Sequence, residues 1–355
     1  MVGAQDPEAS HPVQTGPVPR RQWSPVSAGL QLLSIGPVLI LILLVVIFGA
    51  ITPSFLKPIN IGNILAQIAV IAVVAMGQHL VILTRGIDLS VGSNLALATV
   101  VGGLVFHVTD NALPVTLAML ISGALVGAVN GAVYVFGRLP HPFIVTLATL
   151  SICRGLALEL APNHTTMRGM PDFIQQVGGE SYFTIPNLVI IPNSFFVVVG
   201  VALLMLLMAK AMVWGRWIYA VGGKPEAAVQ MGIPVRAVLI STYVISGLCV
   251  GIGAVLTAGR TAAASPLNGN LLELDTIAAV IIGGASFLGG RGHIGHALVG
   301  AVMIGVIRNA LNLLNVDVFF QMIAIGAIIV VAVEADVLRN FLEGRARVLQ
   351  AARTQ

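Results

Sequence analysis

A chain of 355 residues in which 57% are hydrophobic and only 9% charged cannot cover a globule with water-compatible surface, since soluble domains carry about 25% charged residues. The formal net charge of +4 does not point to nucleic acid, because the positive residues are scattered between apolar runs rather than gathered in a patch. The composition is that of a polytopic membrane protein whose main surroundings are the lipid bilayer.

In chain order, residues 1–30 carry Pro7, Pro12, Pro17, Pro19 and Pro25 among Asp6, Glu8, Arg20 and Arg21, and read as a disordered tail. No small-residue cleavage site follows the first apolar run, so a removable signal is not expected. Ten runs are then long enough to cross or re-enter a bilayer: 35–51, 64–83, 91–108, 114–136, 143–160, 194–212, 237–256, 274–288, 295–314 and 319–333. The expected fold is all-α, a membrane domain over 31–337 with about ten transmembrane or re-entrant helices, followed by a basic tail at 338–355. The run 274–288 is short and glycine-rich, the candidate for a broken or re-entrant piece. Cys153 and Cys249 lie inside apolar runs and read as buried, inert thiols.

The basic residues set an orientation. With the N-terminus inside, Arg20, Arg21, Arg85, Arg138, Lys210, Arg216, Lys224, Arg236, Arg291, Arg339, Arg345, Arg347 and Arg353 fall on the cytoplasmic side. Lys57, Arg154, Arg168, Arg260 and Arg308 fall on or toward the other. This asymmetry places both termini and the loop 213–236 in the cytoplasm. On the far side, residues 161–193, with Met170-Pro171-Asp172, Gly178-Gly179-Glu180 and Pro186, are long enough for a structured cap. Contact with a soluble delivery protein and a plain solvated loop are both open there.

Four stretches carry polar chemistry. At 81–93, Val-Ile-Leu-Thr-Arg-Gly-Ile-Asp-Leu-Ser-Val-Gly-Ser sets a carboxylate and a hydroxyl between two glycines where two runs meet. Asp88 or Ser90 is placed to cap the next helix, with substrate contact as the less favoured role, and Thr84 and Asn94 flank them. Arg85 reads either as another inside-facing charge or as a partner for Asp88. Asn130, beside Gly131 in an apolar run, must find a partner, either a neighbouring helix or a wet pathway. Next, Pro140-His141-Pro142 introduces a run through a rigid turn, with Phe143 and Thr146 in its first turn and His141 a loop residue.

The most polar break in the chain is Gly215-Arg216 through Gly222-Gly223-Lys224-Pro225-Glu226-Ala227-Ala228 to Gly232-Ile233. It reads as a short helix between two glycine hinges: Pro225 suits the first helical position, Glu226 suits the positive end of the dipole, and Gly232 suits a left-handed close. Further on, Glu273-Leu274-Asp275 opens a glycine-rich apolar helix. The two acids either answer its dipole or stand at the outer mouth to meet a partner's basic residues. The glycine pairs 283–284 and 289–290 permit close helix approach and a sharp return to Arg291. No G-x-x-x-x-G-K-[ST] occurs, and His293 with His296 is a weak metal signal, so no metal site and no catalytic constellation is expected.

Glu226-Ala227-Ala228 with Gly232 resembles the EAA…G loop of ABC-importer permeases. The stretches at 81–93, at 130–131 with 142–149, and at 273–292 continuing to Asn312-Leu313-Leu314-Asn315 are similar to the ribose/xylose-type branch of those permeases. Arg85 stands where that family usually has glycine or serine. The resemblance runs from about residue 54 to 333. It implies a fold nearer the many-spanned importer type than the six-helix type, in a bacterial inner membrane. It also implies a transport subunit rather than an enzyme, importing a monosaccharide of pentose or hexose type. The implied partners are an ABC ATPase subunit docked on Gly215, Arg216, Gly222, Gly223, Glu226, Ala227, Ala228 and Gly232, a second permease subunit, and a periplasmic sugar-binding protein. ATP and magnesium would sit on the ATPase, with no cofactor on this chain. Thr84, Asp88, Ser90, Asn94, Asn130, Phe143, Thr146 and Asp275 are the candidate pathway or structural residues.

Two rivals stand beside this. An ion-coupled secondary transporter is expected to hold ionisable groups near the midplane, whereas here Asp88, Asp110, Glu159, Asp172, Asp275, Asp317 and Glu334 sit at run ends. A passive channel or scaffold would need no capped docking helix.

Overall fold

A computed structural model describes residues 25–179, 183–185 and 189–353. The expected N-terminal tail lies outside these residues as far as position 24, while 25–30 already belong to the first helix. In chain order the helices are α1 (Pro25–Ile51), α2 (Pro58–Leu83), α3 (Val91–Phe106), α4 (Ala112–Phe136), α5 (Phe143–Leu160), α6 (Asp172–Gly179) and α7 (Asn193–Ala211). They continue as α8 (Val213–Gly223), α9 (Pro225–Gln230), α10 (Val235–Thr261), α11 (Leu272–Ile282), α12 (Ile294–Leu313) and α13 (Val318–Arg353). Four short strands complete the chain: β1 (Met167–Arg168), β2 (Phe183–Ile185), β3 (Val189–Ile191) and β4 (Ala263–Ala264). β1 pairs antiparallel with β4, and β2 with β3. The protein is all-α, as its apolar runs require, because a backbone in lipid must satisfy its own hydrogen bonds.

Each of the ten apolar runs falls on a helix. Among the described residues α2, α4, α5, α7, α10 and α12 are long and apolar enough to cross a membrane. The run 274–288 is broken: α11 stops at Ile282, and a non-helical return leads through Gly284, Gly289, Gly290 and Gly292, all with positive φ, into α12. The chain from 338 to 353, expected as a tail, continues α13.

Packing follows the small residues. α2 and α10 form the centre, α2 being buried without interruption from Ile71 to Leu83. On α4, Gly123, Gly127 and Gly131 recur every four residues, and a Cβ at Gly123 or Gly127 would collide with the backbone of Gly247 or Tyr243 on α10. Small residues at this spacing let two helices approach to backbone contact, which is how helices associate where lipid removes the hydrophobic drive. The outward faces of α1, α4, α5, α7 and α13 carry exposed Leu, Ile, Val and Phe, as a lipid-facing rim should.

Two helices stop short of a full span. At 1.5 Å per residue, the 16-residue α3 is about 24 Å long and the 11-residue α11 about 16 Å, against about 30 Å of hydrocarbon. They begin beside one another: a side chain on Gly92 of α3 would strike both the Gly269 carbonyl and the Glu273 carboxylate. At its other end α3 brings Gly103 against Ala264 and Met167, beside the β1–β4 pair. The opposite end of the molecule holds α8 and α9, where Gly222 packs on the Leu83 carbonyl.

The far segment is a structured cap whose described parts are a 3-10 turn at Pro162–His164, strand β1, helix α6, and the β2–β3 pair. Gly178 and Gly259 fit α6 directly against the end of α10.

Candidate functional site

The turn between α2 and α3 gathers most of the polar residues singled out by sequence. Asp88, only 2% exposed, accepts from the Ser90 N–H at 2.9 Å and from the Ser90 hydroxyl at 2.6 Å. Asn130 of α4 donates to Ser90 Oγ at 2.9 Å, and Thr149 of α5 donates to Asn130 Oδ1 at 2.8 Å. Thr146 donates to the Ile87 carbonyl at 3.2 Å. The result is a continuous bonded chain from the α2–α3 turn through α4 to α5. Asn94, one turn into α3, donates to the Gly123 carbonyl at 3.1 Å, and its own Oδ1 is buried without a hydrogen bond.

The expected helix cap takes a different form. Ser90 is the N-cap of α3 but makes no side-chain capping bond, and Asp88 binds Ser90 itself rather than the free N–H groups of the first turn. The reason is local: a carboxylate two residues before an N–H closes a tight side-chain turn more readily than it reaches into the helix. Thr84 bonds back to the Val81 carbonyl at 2.9 Å, closing α2, and Phe143 is exposed at the start of α5.

Arg85 does not pair with Asp88. Its backbone is left-handed, with φ 64°, and its guanidinium turns to α8, where Nε donates to the Gly222 carbonyl at 2.6 Å and Nη2 to the Gly223 carbonyl. The pair 222–223 forms the end of α8, just before α9 begins. Gly222 is glycine because a Cβ there would collide with the Leu83 carbonyl, and Gly215 for the same reason against Ala209.

In place of one helix, the loop 213–236 holds two. α8 is fastened by Trp214 Nε1 donating to Ser241 Oγ at 2.7 Å and by Tyr219 donating to the Gly292 carbonyl at 2.9 Å. Burial pushes the Tyr219 hydroxyl above its usual value. α9 begins with Pro225, carries Glu226 exposed in its first turn, and is closed by Gly232 at φ 76°. Ala228 faces inward, 2% exposed, and Ala227 is half-buried, while Arg216 and Gly223 are exposed. The outward apolar residues are Val229, 61% exposed, and Met231, 79% exposed. Sequence reasoning missed both, although Val-Gln-Met beside a capped helix is a signal it had.

Asp275 is not exposed to meet a partner's basic residue. It is 4% exposed and ion-paired to Arg308 of α12, Oδ1 to Nη2 at 2.7 Å. α11 starts inside the fold, so the end of this apolar run is not a protein surface. Arg154 of α5 likewise turns inward to donate to the Pro266 and Asn268 carbonyls at 2.5 and 3.1 Å and pins the turns that lead into α11. Arg154 and Arg308 had no local motif to announce them. His293 and His296 form a cap rather than a ligand pair: His293 Nδ1 accepts from the Gly295 N–H, and the His293 N–H donates to His296 Nδ1. An apolar cavity of about 540 Å3 between α1, α11, α12 and α13, lined by Ile40, Leu44, Ile281, Met303 and Ile328, offers a hydroxylated solute almost no hydrogen-bond partners.

Residues 60–333 match the model of the family described as branched-chain amino acid transport system / permease component. The chain is 39% identical to the ribose import permease protein of Bacillus subtilis (strain 168) over 303 residues, 85% of this chain and 92% of the other. It is 36% identical to the D-allose transport system permease protein of Escherichia coli (strain K12) over 303 residues, 85% and 90% of the two chains. To the fructose import permease protein of Rhizobium meliloti it is 36% identical over 310 residues, 84% of each. No solved structure matches the chain.

Proposed function

The chain belongs to the permease-component family of branched-chain amino acid transport systems, and from that membership we propose that it is the membrane-spanning permease of an ABC importer for a monosaccharide. The sugar class follows the relatives, whose names specify ribose, D-allose and fructose. The observation that carries the mechanism is α9, a capped helix at one end of the molecule that turns Val229 and Met231 outward. In water such residues are costly to expose, and a groove on a separate ATPase subunit is the partner that would cover them.

In this reading α8 and α9 lie in the cytoplasm with both termini, in a bacterial inner membrane, and the cap at 161–193 faces the periplasm. ATP and magnesium stay on the ATPase, and a second copy of the permease completes the path. A periplasmic binding protein delivers the sugar to the cap. Closure of the ATPase pair moves α9 and α8, and the bundle switches the side from which it is open.

The test is uptake of labelled ribose, allose and fructose into proteoliposomes holding the permease, its ATPase and its binding protein. ATP-dependent accumulation of one of these sugars is the expected result. Accumulation that follows an imposed ion gradient and ignores ATP would replace this reading with the ion-coupled one.

A further inference from the structure

We propose that Arg85 is the positioning residue that links α8 to the α2–α3 turn, delivering movement of the ATPase-facing helices to Asp88 and Ser90. The link rests on the importer reading for what moves α8, and goes beyond it in naming the connection.

Three segments interlock at this point. Arg85 donates to the carbonyls of Gly222 and Gly223, the last two residues of α8. The Gly290 N–H, in the return between α11 and α12, donates to the Leu83 carbonyl at 2.8 Å. Gly289 lies so close that a Cβ there would strike the Arg85 side chain, and Tyr219 of α8 reaches the Gly292 carbonyl. Two carbonyls at a helix C-terminus lack intrahelical donors and carry the negative end of its dipole, so a guanidinium answers both needs together. Its planar fork spans two acceptors, which a lysine ammonium cannot do with the same fixed geometry.

The backbone supports the assignment. At φ 64° glycine is the unstrained choice, and a long side chain is held there against its own preference by the bonds it makes. From Arg85 the connection to the bonded chain is short. Gly86 is buried against Tyr243 and Val81, Ile87 offers its carbonyl to Thr146, and Asp88 holds Ser90. A displacement of the α8 terminus therefore reaches the α2–α3 turn, and reaches α5 through the Ile87–Thr146 bond, without passing through Asn130.

The experiment compares wild type, Arg85→Gly and Arg85→Lys in proteoliposomes holding the permease–ATPase complex and its binding protein. Glycine removes the guanidinium and relieves the backbone, so a change cannot come from new strain. We expect Arg85→Gly to keep ATP hydrolysis within about twofold while uptake falls about tenfold, and Arg85→Lys to lie between. An unchanged ratio of uptake to hydrolysis in Arg85→Gly overturns the link. So does loss of hydrolysis together with loss of ATPase co-purification, which is a support role only. Hydrogen exchange on the purified permease in nanodiscs tests the link without the ATPase. Arg85→Gly should speed exchange at the amides of 86–90 by about tenfold. Unchanged protection there overturns the link. A wild-type complex with no ATP-driven uptake refutes the importer reading alone, and hydrogen exchange still decides the link.

Discussion

Asn130 donates to Ser90 and accepts from Thr149, so both ends of its amide are used between helices. Hydrogen bonds of this kind within membranes contribute on the order of 0.6–2 kcal/mol each. Asn130→Leu should therefore lower the melting temperature of the purified complex while transport per folded molecule stays at the wild-type level. Reduced transport at unchanged melting temperature would put Asn130 on the solute path instead. At this scale the residue types were readable in advance and their partners were not. A buried amide announces that it needs a partner, but only the crossing of α4 with α3 and α5 selects Ser90 and Thr149. Arg85 makes the same point, since the nearest opposite charge in sequence, Asp88, is not what it binds.

For the elements, α9 matches its local chemistry: proline at the first turn, an acid behind it, and a left-handed glycine at its close. The orientation of its faces is not local. Ala228 packs inward, so Ala228→Trp should destabilise the permease itself, by about 1–3 kcal/mol through overpacking. Met231→Glu, on the outward face, should leave the melting temperature unchanged and remove the ATPase in co-purification. Retention of the ATPase by Met231→Glu would take the docking role away from this face. Glu226→Ala should be mild in both assays, since a first-turn carboxylate contributes about 0.3–1 kcal/mol. The half-helices α3 and α11 belong to this scale too. The shortness of α11 shows in its apolar run and that of α3 does not, and their shared starting point at Gly92 and Gly269 depends on segments about 177 residues apart coming together.

Across the whole molecule, the proposed orientation, argued from the basic residues of the chain, puts α8 and α9 in the cytoplasm and the cap outside. A cysteine at Asn163, exposed in the 3-10 turn, should react with an impermeant maleimide on intact cells, and one at Lys224 should react only after lysis. Gly178, although it lies in the same cap, is a poor site for a label because α10 packs on it. Labelling at Lys224 from outside would invert the orientation and remove the argument for docking.

Composition and the spacing of apolar runs determined by themselves that this is an all-α membrane protein, where its apolar helices fall, and that one polar loop carries a short helix. Those are short-range properties: lipid allows only internally bonded backbone, and proline, acid and glycine act within one turn. Which acids lie inside was decided only by the tertiary structure. Asp275 reads as the start of a helix in sequence and becomes a buried carboxylate paired to a half-buried Arg308, because α11 begins within the bundle and Arg308 reaches it there. The Arg85 bridge from α2 to α8 was hidden for the same reason. Its partners are backbone carbonyls, which no side-chain pattern records, and they come within reach only when α8 folds back onto the end of α2.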